Sequence, residues 1–309
     1  MIKHTCNNIE EYLEHIKKID IKYMQLKKGV FLNELISVSN NEIIIQYVKS
    51  TLSSKIFAVV PNYYTFFFVN SFHKQQNNGI EIDKETLVIV APNKEFERIS
   101  YGEYEVMSIN IPKLIIEKRL GPLLSGIYKS NNCKHMNALQ SYCNENIFQG
   151  SFNPSTFDYC LENILDCIEG IISETEIKNK KNTYSLQYNE ISTFMKRNLK
   201  SDLYIPEIAE KFKITDRTLR NIFRSEVGIS PKEYKNAIIM NRFKTKLLKC
   251  KESNINDVCI QCGIADHSLL SKNFKEFFTV SPSEYRSLFM NQKIKINVKE
   301  NNPLKKRRE

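Results

Sequence analysis

The segment ITDRTLRNIFRSEVGISPKEY (residues 214–234) returns later in the chain as IADHSLLSKNFKEFFTVSPSEY (residues 264–285), with one extra residue near its start. A short apolar segment precedes each copy, at residues 206–212 and 255–262. Helix, tight turn and helix, repeated once, predict two helix-turn-helix units in the C-terminal third of the chain. Beyond the extra residue the two copies are offset by 51 positions, as seen in the pairs Leu219 and Leu270, Phe223 and Phe274, Ser230 and Ser281, and Tyr234 and Tyr285.

The second helix of each unit has an apolar stripe and an opposite polar face. In the first unit Leu219, Ile222 and Phe223 follow the i, i+3, i+4 spacing of a helix face that points inward. Arg and Asn side chains can contact guanine and adenine edges bidentately, whereas Ser and Lys reach bases or phosphates. Two ordinary helical hairpins with solvated faces are the alternative. The candidate DNA-contacting residues are Arg217, Arg220, Asn221 and Arg224 in the first unit, and His267, Ser268, Ser271, Lys272 and Lys275 in the second.

The positive charge of the chain lies entirely in its second part. Residues 1–175 hold 17 Lys/Arg and 20 Asp/Glu, a net charge of −3, whereas residues 176–309 hold 28 and 15, a net charge of +13. This asymmetry indicates a polyanionic partner, most simply nucleic acid. A solvated basic surface is the alternative when charge is considered alone.

Residues 185–290 resemble the DNA-binding domain of the AraC/XylS family of transcription regulators. The resemblance is carried by IPEIAEKFKITDRTLRNIFRSEVGISPKEY, from residue 205, and INDVCIQCGIADHSLLSKNFKEFFTVSPSEYR, from residue 255. It implies that a long helix over 231–249 joins the units and that both recognition helices enter successive major-groove segments on one face of DNA. The positions that it assigns to base reading are Arg217, Arg220, Asn221, His267, Ser268, Ser271 and Lys272.

The sequence departs from the family pattern at several positions. Lys213 and Thr279 stand where the family usually has Gly at a turn, and Ile239 replaces a common Arg of the joining helix. Cys259 and Cys262 stand where the family has Ala and a small apolar residue, which implies core positions. A single C-x-x-C pair is a weak zinc signal, so we expect reduced thiols, no metal and no cofactor.

The N-terminal part predicts a different architecture. Short β-rich runs separated by turn residues indicate a barrel or sandwich, at 30–38, 42–48, 56–60, 63–70, 86–90 and 105–111. Helical spacing predicts helices at 9–26, 112–120 and 155–173. The expected fold class is α+β, with an N-terminal β-rich cupin-like barrel with helices and a C-terminal all-α domain with two helix-turn-helix units.

The strand-rich region resembles the family's sensor arrangement of a cupin-like barrel with dimerisation helices. Only His73 lies among the strands, which argues against a cupin metalloenzyme. Candidate ligand contacts are Lys27, Lys28, Tyr63, Tyr64, Phe66 and Arg98, with barrel core and solvated charges as the alternative. Candidate dimer contacts are the apolar stripe Phe157, Leu161, Leu165 and Ile168, which has packing on its own barrel as the alternative.

The sequence therefore predicts a sensor and dimerisation domain at 1–175, a linker at 176–184, a DNA-binding domain at 185–290 and a basic disordered tail at 291–309. Neither a signal peptide nor an apolar run of membrane-spanning length is present, which indicates the cytoplasm. The expected function is non-enzymatic: a transcription regulator that activates promoters in response to a small molecule. The expected partners are double-stranded DNA, RNA polymerase, a small-molecule effector and a second copy of the chain. One alternative is a regulator whose N-terminal domain binds only a protein, and another is a cupin-type enzyme with nucleic-acid affinity.

Overall fold

The computed structural model combines a strand-rich N-terminal part with a helical C-terminal part, as the sequence predicts. No helix among the residues placed in it has both the length and the apolar character needed to cross a membrane. The structure describes residues 1–16, 19–40, 42–70, 73–129, 134–148, 157–175, 177–178, 183–199, 204–250, 253–262 and 267–290.

Two antiparallel sheets form the N-terminal part. The larger has the strand order β1-β3-β4-β11-β6-β9-β12-β13, and the smaller has the order β2-β5-β10-β7-β8. The strands are β1 Ile2–Cys6, β2 Asp20–Gln25, β3 Asn33–Ser39, β4 Ile44–Ser50, β5 Ser54–Val59, β6 Tyr63–Val69, β7 Gln75–Asn77, β8 Ile80–Ile82, β9 Thr86–Val90, β10 Glu95–Ser100, β11 Tyr104–Pro112, β12 Gly126–Lys129 and β13 Ile177–Lys178.

The helices fall into two groups along the chain. Those of the N-terminal part are α1 Ile9–His15, α2 Lys113–Leu120, α3 Lys134–Tyr142 and α4 Phe157–Ser173, and a π-helical segment, Cys143–Phe148, extends α3. Those of the C-terminal part are α5 Thr183–Arg197, α6 Ile205–Lys211, α7 Asp216–Val227, α8 Pro231–Lys249, α9 Ile255–Gln261, α10 His267–Phe278 and α11 Pro282–Met290.

Alternating side chains of the larger sheet divide between two cores. On β6, Phe66 packs toward α3 and α4, whereas its neighbour Phe67 points into the space between the two sheets. That space, the barrel interior, is lined by residues such as Leu35, Val48 and Val106. The N-terminal part thus has three layers: helices, the larger sheet and the smaller sheet.

The C-terminal helices cover the outer face of the smaller sheet. Ile99 of β10 belongs to the same buried cluster as Tyr188 and Phe223 of the helical part. Beside it, the fully buried Lys55 places its ammonium 2.8 Å from Glu97 and 3.1 Å from the Tyr188 hydroxyl. Desolvation lowers the pKa of Lys55 to about 8, although Glu97 opposes that shift. The two parts are therefore joined by a core with a buried ion pair at its edge.

The expected helix over 9–26 is wrong in its second half. Helix α1 ends at His15, and Asp20–Gln25 forms strand β2. Ile21 and Tyr23, two positions apart, pack into the barrel interior, which is the period of a strand. Pairing with β5 therefore makes this segment a strand, although its apolar spacing predicted a longer helix.

The boundary between the two parts also differs from the sequence expectation. Within the predicted linker, Ile177–Lys178 pairs with β12 and so extends the larger sheet. Helix α5 already begins at Thr183. The predicted tail, 291–309, lies outside the described residues.

Candidate nucleic-acid interface

The first unit has the helix-turn-helix geometry that the sequence predicts. Helix α7 begins after Thr215, whose side chain accepts a hydrogen bond from the Thr218 N–H at 3.1 Å. Leu219, Ile222 and Phe223 are fully buried, so the helix is held by its apolar stripe. The opposite face is exposed and carries Arg217, Arg220, Asn221 and Arg224.

The second unit repeats this arrangement with different polar residues. Helix α10 buries Leu270, Phe274 and Phe277. The turn at 263–266 lies outside the described residues. Of the predicted contact residues, Ser268, Lys272 and Lys275 are exposed, whereas His267 and Ser271 are half-buried.

The repeat extends to ring contacts inside the two cores. In the first unit the rings of Phe223 and Tyr234 lie 5.2 Å apart, edge to face. In the second unit the equivalent rings of Phe274 and Tyr285 lie 5.6 Å apart in the same arrangement. Each helix that follows begins with a serine that caps it and a glutamate three positions later that binds back, a reciprocal cap seen in Ser230 with Glu233 and in Ser281 with Glu284.

The turns keep a left-handed backbone even where the family glycine is missing. Lys213 and Thr279 have φ values of 52° and 69°. The residue equivalent to Thr279 in the first unit is Gly228, with φ of 68°. Because a side chain in this region costs about 1–2 kcal/mol, packing of the flanking helices must hold both turns. The substitutions therefore leave the left-handed backbone at both positions intact.

The long helix α8 joins the two units with the bounds that the resemblance implied. Tyr234 belongs to the first core, whereas Phe243 and Leu247 belong to the second. Ile239, at the family's Arg position, is half-buried and packs against the second core. A single helix therefore fixes the spacing of the two recognition helices.

The outer faces carry cations that are available to phosphates. Within the described part of the chain, no ion pair to Asp or Glu involves the exposed recognition-helix cations. A cation without a protein counterion can pair with a DNA phosphate and release a counterion from the duplex. These cations are Arg217, Arg220, Arg224, Lys272 and Lys275.

The predicted ligand contacts do not come together. Tyr64 and Phe66 are buried under the helices of the N-terminal part, where the Tyr64 hydroxyl donates to Glu117 at 3.2 Å. Tyr63 is half-buried at the start of the same strand. The exposed Lys27 and Lys28 lie on the surface, with Lys28 4.0 Å from Glu276 of α10. Of the predicted set, Arg98 alone lies in the barrel interior.

The apolar stripe of α4 packs within its own chain. Leu165 and Ile168 are fully buried in the core beneath the larger sheet, and Leu161 packs against that core. The side chain of Phe157 lies outside the described residues. The structure thus has the second of the two arrangements that the sequence left open for this stripe.

The cysteine pair of the second unit occupies core positions, as the resemblance implied. Cys259 is fully buried and Cys262 packs against the same cluster. Burial raises the pKa of the Cys259 thiol to about 11. A thiol with so high a pKa is a small apolar side chain at neutral pH rather than a nucleophile.

Sequence reasoning missed a buried contact between the second unit and the N-terminal part. Glu10 of α1 lies 2.9 Å from the ammonium of Lys244 in α8, and its other oxygen accepts a hydrogen bond from the Tyr285 hydroxyl. All three side chains are at least nine-tenths buried. We call this group the Glu10 clasp. Because Glu10 lies 234 positions before Lys244, no local pattern could have indicated it.

A polar junction beside the clasp attaches the same unit to strand β2. The main chain of Gln25 exchanges two hydrogen bonds with the Asn241 side chain, at 3.2 and 2.9 Å. The Gln25 side chain and the Gly29 N–H both donate to the carbonyl of Phe277, at 3.0 and 3.3 Å. The second unit is therefore held through the linking helix α8 and through α10.

Comparisons with known proteins agree with this geometry. Residues 208–287 match the family described as "Helix-turn-helix domain". The chain is 35% identical over 96 residues to the lactose operon transcription activator of Staphylococcus xylosus, covering 31% of this chain and 34% of that protein. It is 25% identical over 183 residues to the HTH-type transcriptional activator RhaS of Mannheimia succiniciproducens, covering 52% and 68%. The match thus spans about a third of the first relative's length and about two thirds of the second's.

Two solved structures are also similar over most of the chain. One is the AraC-like transcriptional activator CuxR, with 13% identity, a TM-score of 0.43 and coverage of 83% of this chain and 98% of that one. The other is ToxT from Vibrio cholerae O395, with 16% identity, a TM-score of 0.32 and coverage of 89% and 100%.

Proposed function

Because residues 208–287 form a helix-turn-helix domain of the AraC/XylS type, we propose that this chain is a sequence-specific, DNA-binding transcription regulator of that type. The observation that carries the proposal is the pair of exposed polar faces on α7 and α10, each backed by a buried stripe and joined by α8. Relatives that match this region are transcription activators, and activation is the direction we propose. Such a protein acts on DNA in the cytoplasm.

The two recognition helices differ in the contacts that they offer. Helix α7 presents Arg217, Arg220 and Asn221, which can form bidentate hydrogen bonds to guanine or adenine. Helix α10 presents Ser268 together with Lys272 and Lys275. Lysine contacts a phosphate as a point charge and carries no sequence information there. We propose that the first unit reads bases more stringently and that the second relies more on the DNA backbone.

Replacing Arg220 by alanine is expected to relax the preference at one or two base pairs of the site, at a cost of about 1–3 kcal/mol. Replacing Lys275 by alanine is expected to weaken binding to all sequences alike and to make the salt dependence shallower. Selection of bound sequences from random DNA, performed with both variants, measures the two effects. The exposed Lys94, which precedes β10 and belongs to neither recognition helix, gives a matched control, since its removal changes the net charge equally. An unchanged sequence preference for Arg220→Ala would show that α7 is not the main reader.

The N-terminal part is proposed to sense a small molecule and to regulate contact with RNA polymerase. Its attachment supports this proposal, because the clasp and the Gln25 junction connect it directly to α8, α10 and α11. A ligand that changes the N-terminal part therefore has a short physical path to the DNA-binding units. A homodimer is part of the same proposal, and light scattering at tens of micromolar tests it. Since Leu165 and Ile168 are buried in their own chain, a dimer would use other residues.

A further inference from the structure

The barrel interior contains a buried arginine that links the two sheets. Arg98 of β10 is 6% exposed, and its guanidinium carbon lies 4.7 Å from the ring centre of Tyr104 on β11. Phe96, two positions earlier on the same strand, also packs into this interior. Since residues two apart on a strand share a face, the Arg98 side chain points between the sheets rather than toward the C-terminal helices.

This guanidinium has no acidic partner in the described part of the chain. Its hydrogen bond is to the side-chain oxygen of Gln75, at the long distance of 3.4 Å. Arginine keeps its proton and has five donors, so burial cannot neutralise it as it neutralises a lysine. The nearby phenols supply no charge either, because burial raises the pKa of Tyr12 and Tyr23 well above 10. The described interior therefore carries one uncompensated positive charge.

Neutral hydrogen-bonding groups face the same space from the opposite sheet. Asn33 and Ser50 are paired across β3 and β4, and Ser50 is paired with Tyr104 across β4 and β11. Directly paired residues project to the same face, so both side chains lie on the Tyr104 side of the sheet. Both are fully buried, and neither the Asn33 amide nor the Ser50 hydroxyl has a hydrogen-bond partner among the described residues. Buried polar groups are nearly always paired. The amide nitrogen and oxygen of Asn33 and the hydroxyl oxygen of Ser50 therefore point to a binding partner from outside the described residues.

We propose that the barrel interior binds a short-chain monocarboxylate, with its carboxylate on Arg98 and its remaining polar contacts on Asn33 and Ser50. One buried cation matches one negative charge, whereas a doubly charged phosphate would leave an excess negative charge in the barrel interior. The apolar side chains that complete the interior, among them Phe31, Leu35 and Val48, match a carbon chain rather than a second ionic group. This inference deepens the proposed function and rests on it, since it names the molecule class that the N-terminal part senses.

The test uses the full chain and four probes: sodium acetate, propionate, butyrate and lactate. Thermal unfolding is compared with sodium chloride at the same ionic strength, and titration calorimetry gives the Kd. We expect at least one probe to raise the Tm with increasing concentration, because a ligand stabilises the state that it binds. Arg98→Gln is expected to raise the Kd of that probe about 10- to 100-fold, because it removes a charge-assisted hydrogen bond. Lys94→Gln, which removes an exposed charge from the turn before β10, should leave the Kd unchanged.

A second variant keeps the test decisive. Arg98→Met replaces a buried charge by an apolar side chain of similar length, and without any probe it is expected to have a higher Tm than the unchanged protein. The probe should then raise the Tm of the unchanged protein but not that of Arg98→Met. The proposal is overturned if no probe binds the unchanged chain, or if a probe binds Arg98→Gln and Arg98→Met as tightly. DNA binding measured on the same samples separates the two ideas: DNA binding without probe binding overturns only this inference, whereas absent DNA binding overturns the proposed function.

Discussion

Replacing Glu10 by alanine is expected to lower the free energy of unfolding by about 3–5 kcal/mol, the cost of removing one partner from a buried ion pair. The change leaves the Lys244 ammonium and the Tyr285 hydroxyl buried without the carboxylate that both contact. Because the chain has no Trp, urea unfolding followed by circular dichroism is the suitable measurement.

Glu14, exposed on the same helix, provides the matched control, and Glu14→Ala should change stability by less than about 0.5 kcal/mol. The double variant Glu10→Ala, Lys244→Met removes the stranded charge as well, so it should be more stable than Glu10→Ala alone. If Glu10→Ala lowers the free energy of unfolding by less than about 1 kcal/mol, the contacts of the Glu10 clasp do not stabilise the fold as proposed. Such a result would mean that water reaches these side chains and that the second unit is not held by them.

DNA affinity is expected to fall by about 10³–10⁵ between 50 and 200 mM salt, as it does for interfaces with about six to ten phosphate contacts. The affinity depends on salt because cations that pair with phosphates release counterions from the duplex. These cations are the exposed ones on α7 and α10, together with the exposed Arg242 and Lys249 of α8. Fluorescence anisotropy with a labelled duplex at several salt concentrations gives the slope. Substituting Lys272 and Lys275 together should reduce the slope by about 2, one for each lost phosphate contact. A slope near zero in the unchanged protein would show that these faces do not meet the DNA backbone.

The helix-turn-helix units could be predicted from sequence because their determinants are local and repeated. Leu219 and Phe223 set the buried face of α7 within five residues, and Leu270 and Phe274 repeat the spacing in α10. The resemblance to the AraC/XylS family implied the bounds of α8, and the structure confirms them. The left-handed turn at Lys213 was not evident, since only the flanking helices force that backbone on a lysine.

The N-terminal part was predictable in type but not in detail. Short β-rich runs such as those of β6 and β11 indicated strands. The segment of β2 instead had the apolar spacing of a helix end, and only its pairing with β5 shows that it is a strand. The direction of an isolated side chain depends on the strand register, which no single segment determines. For this reason Arg98 and Tyr64 appeared equivalent in sequence, although one faces the barrel interior and the other the helices. The Glu10 clasp could not be predicted either, because it forms only when two parts of the chain that are distant in sequence pack against each other.

We propose that the two units, held by the single helix α8, read DNA together. Selection of bound duplexes from a random pool by the full chain, followed by sequencing, tests it most directly. We expect an enriched site with two conserved segments separated by one helical turn, about 10–10.5 bp from centre to centre, with the sharper base preference in one of them. Recovery of sequences without any shared segment, at a salt concentration where the chain still binds, would contradict it.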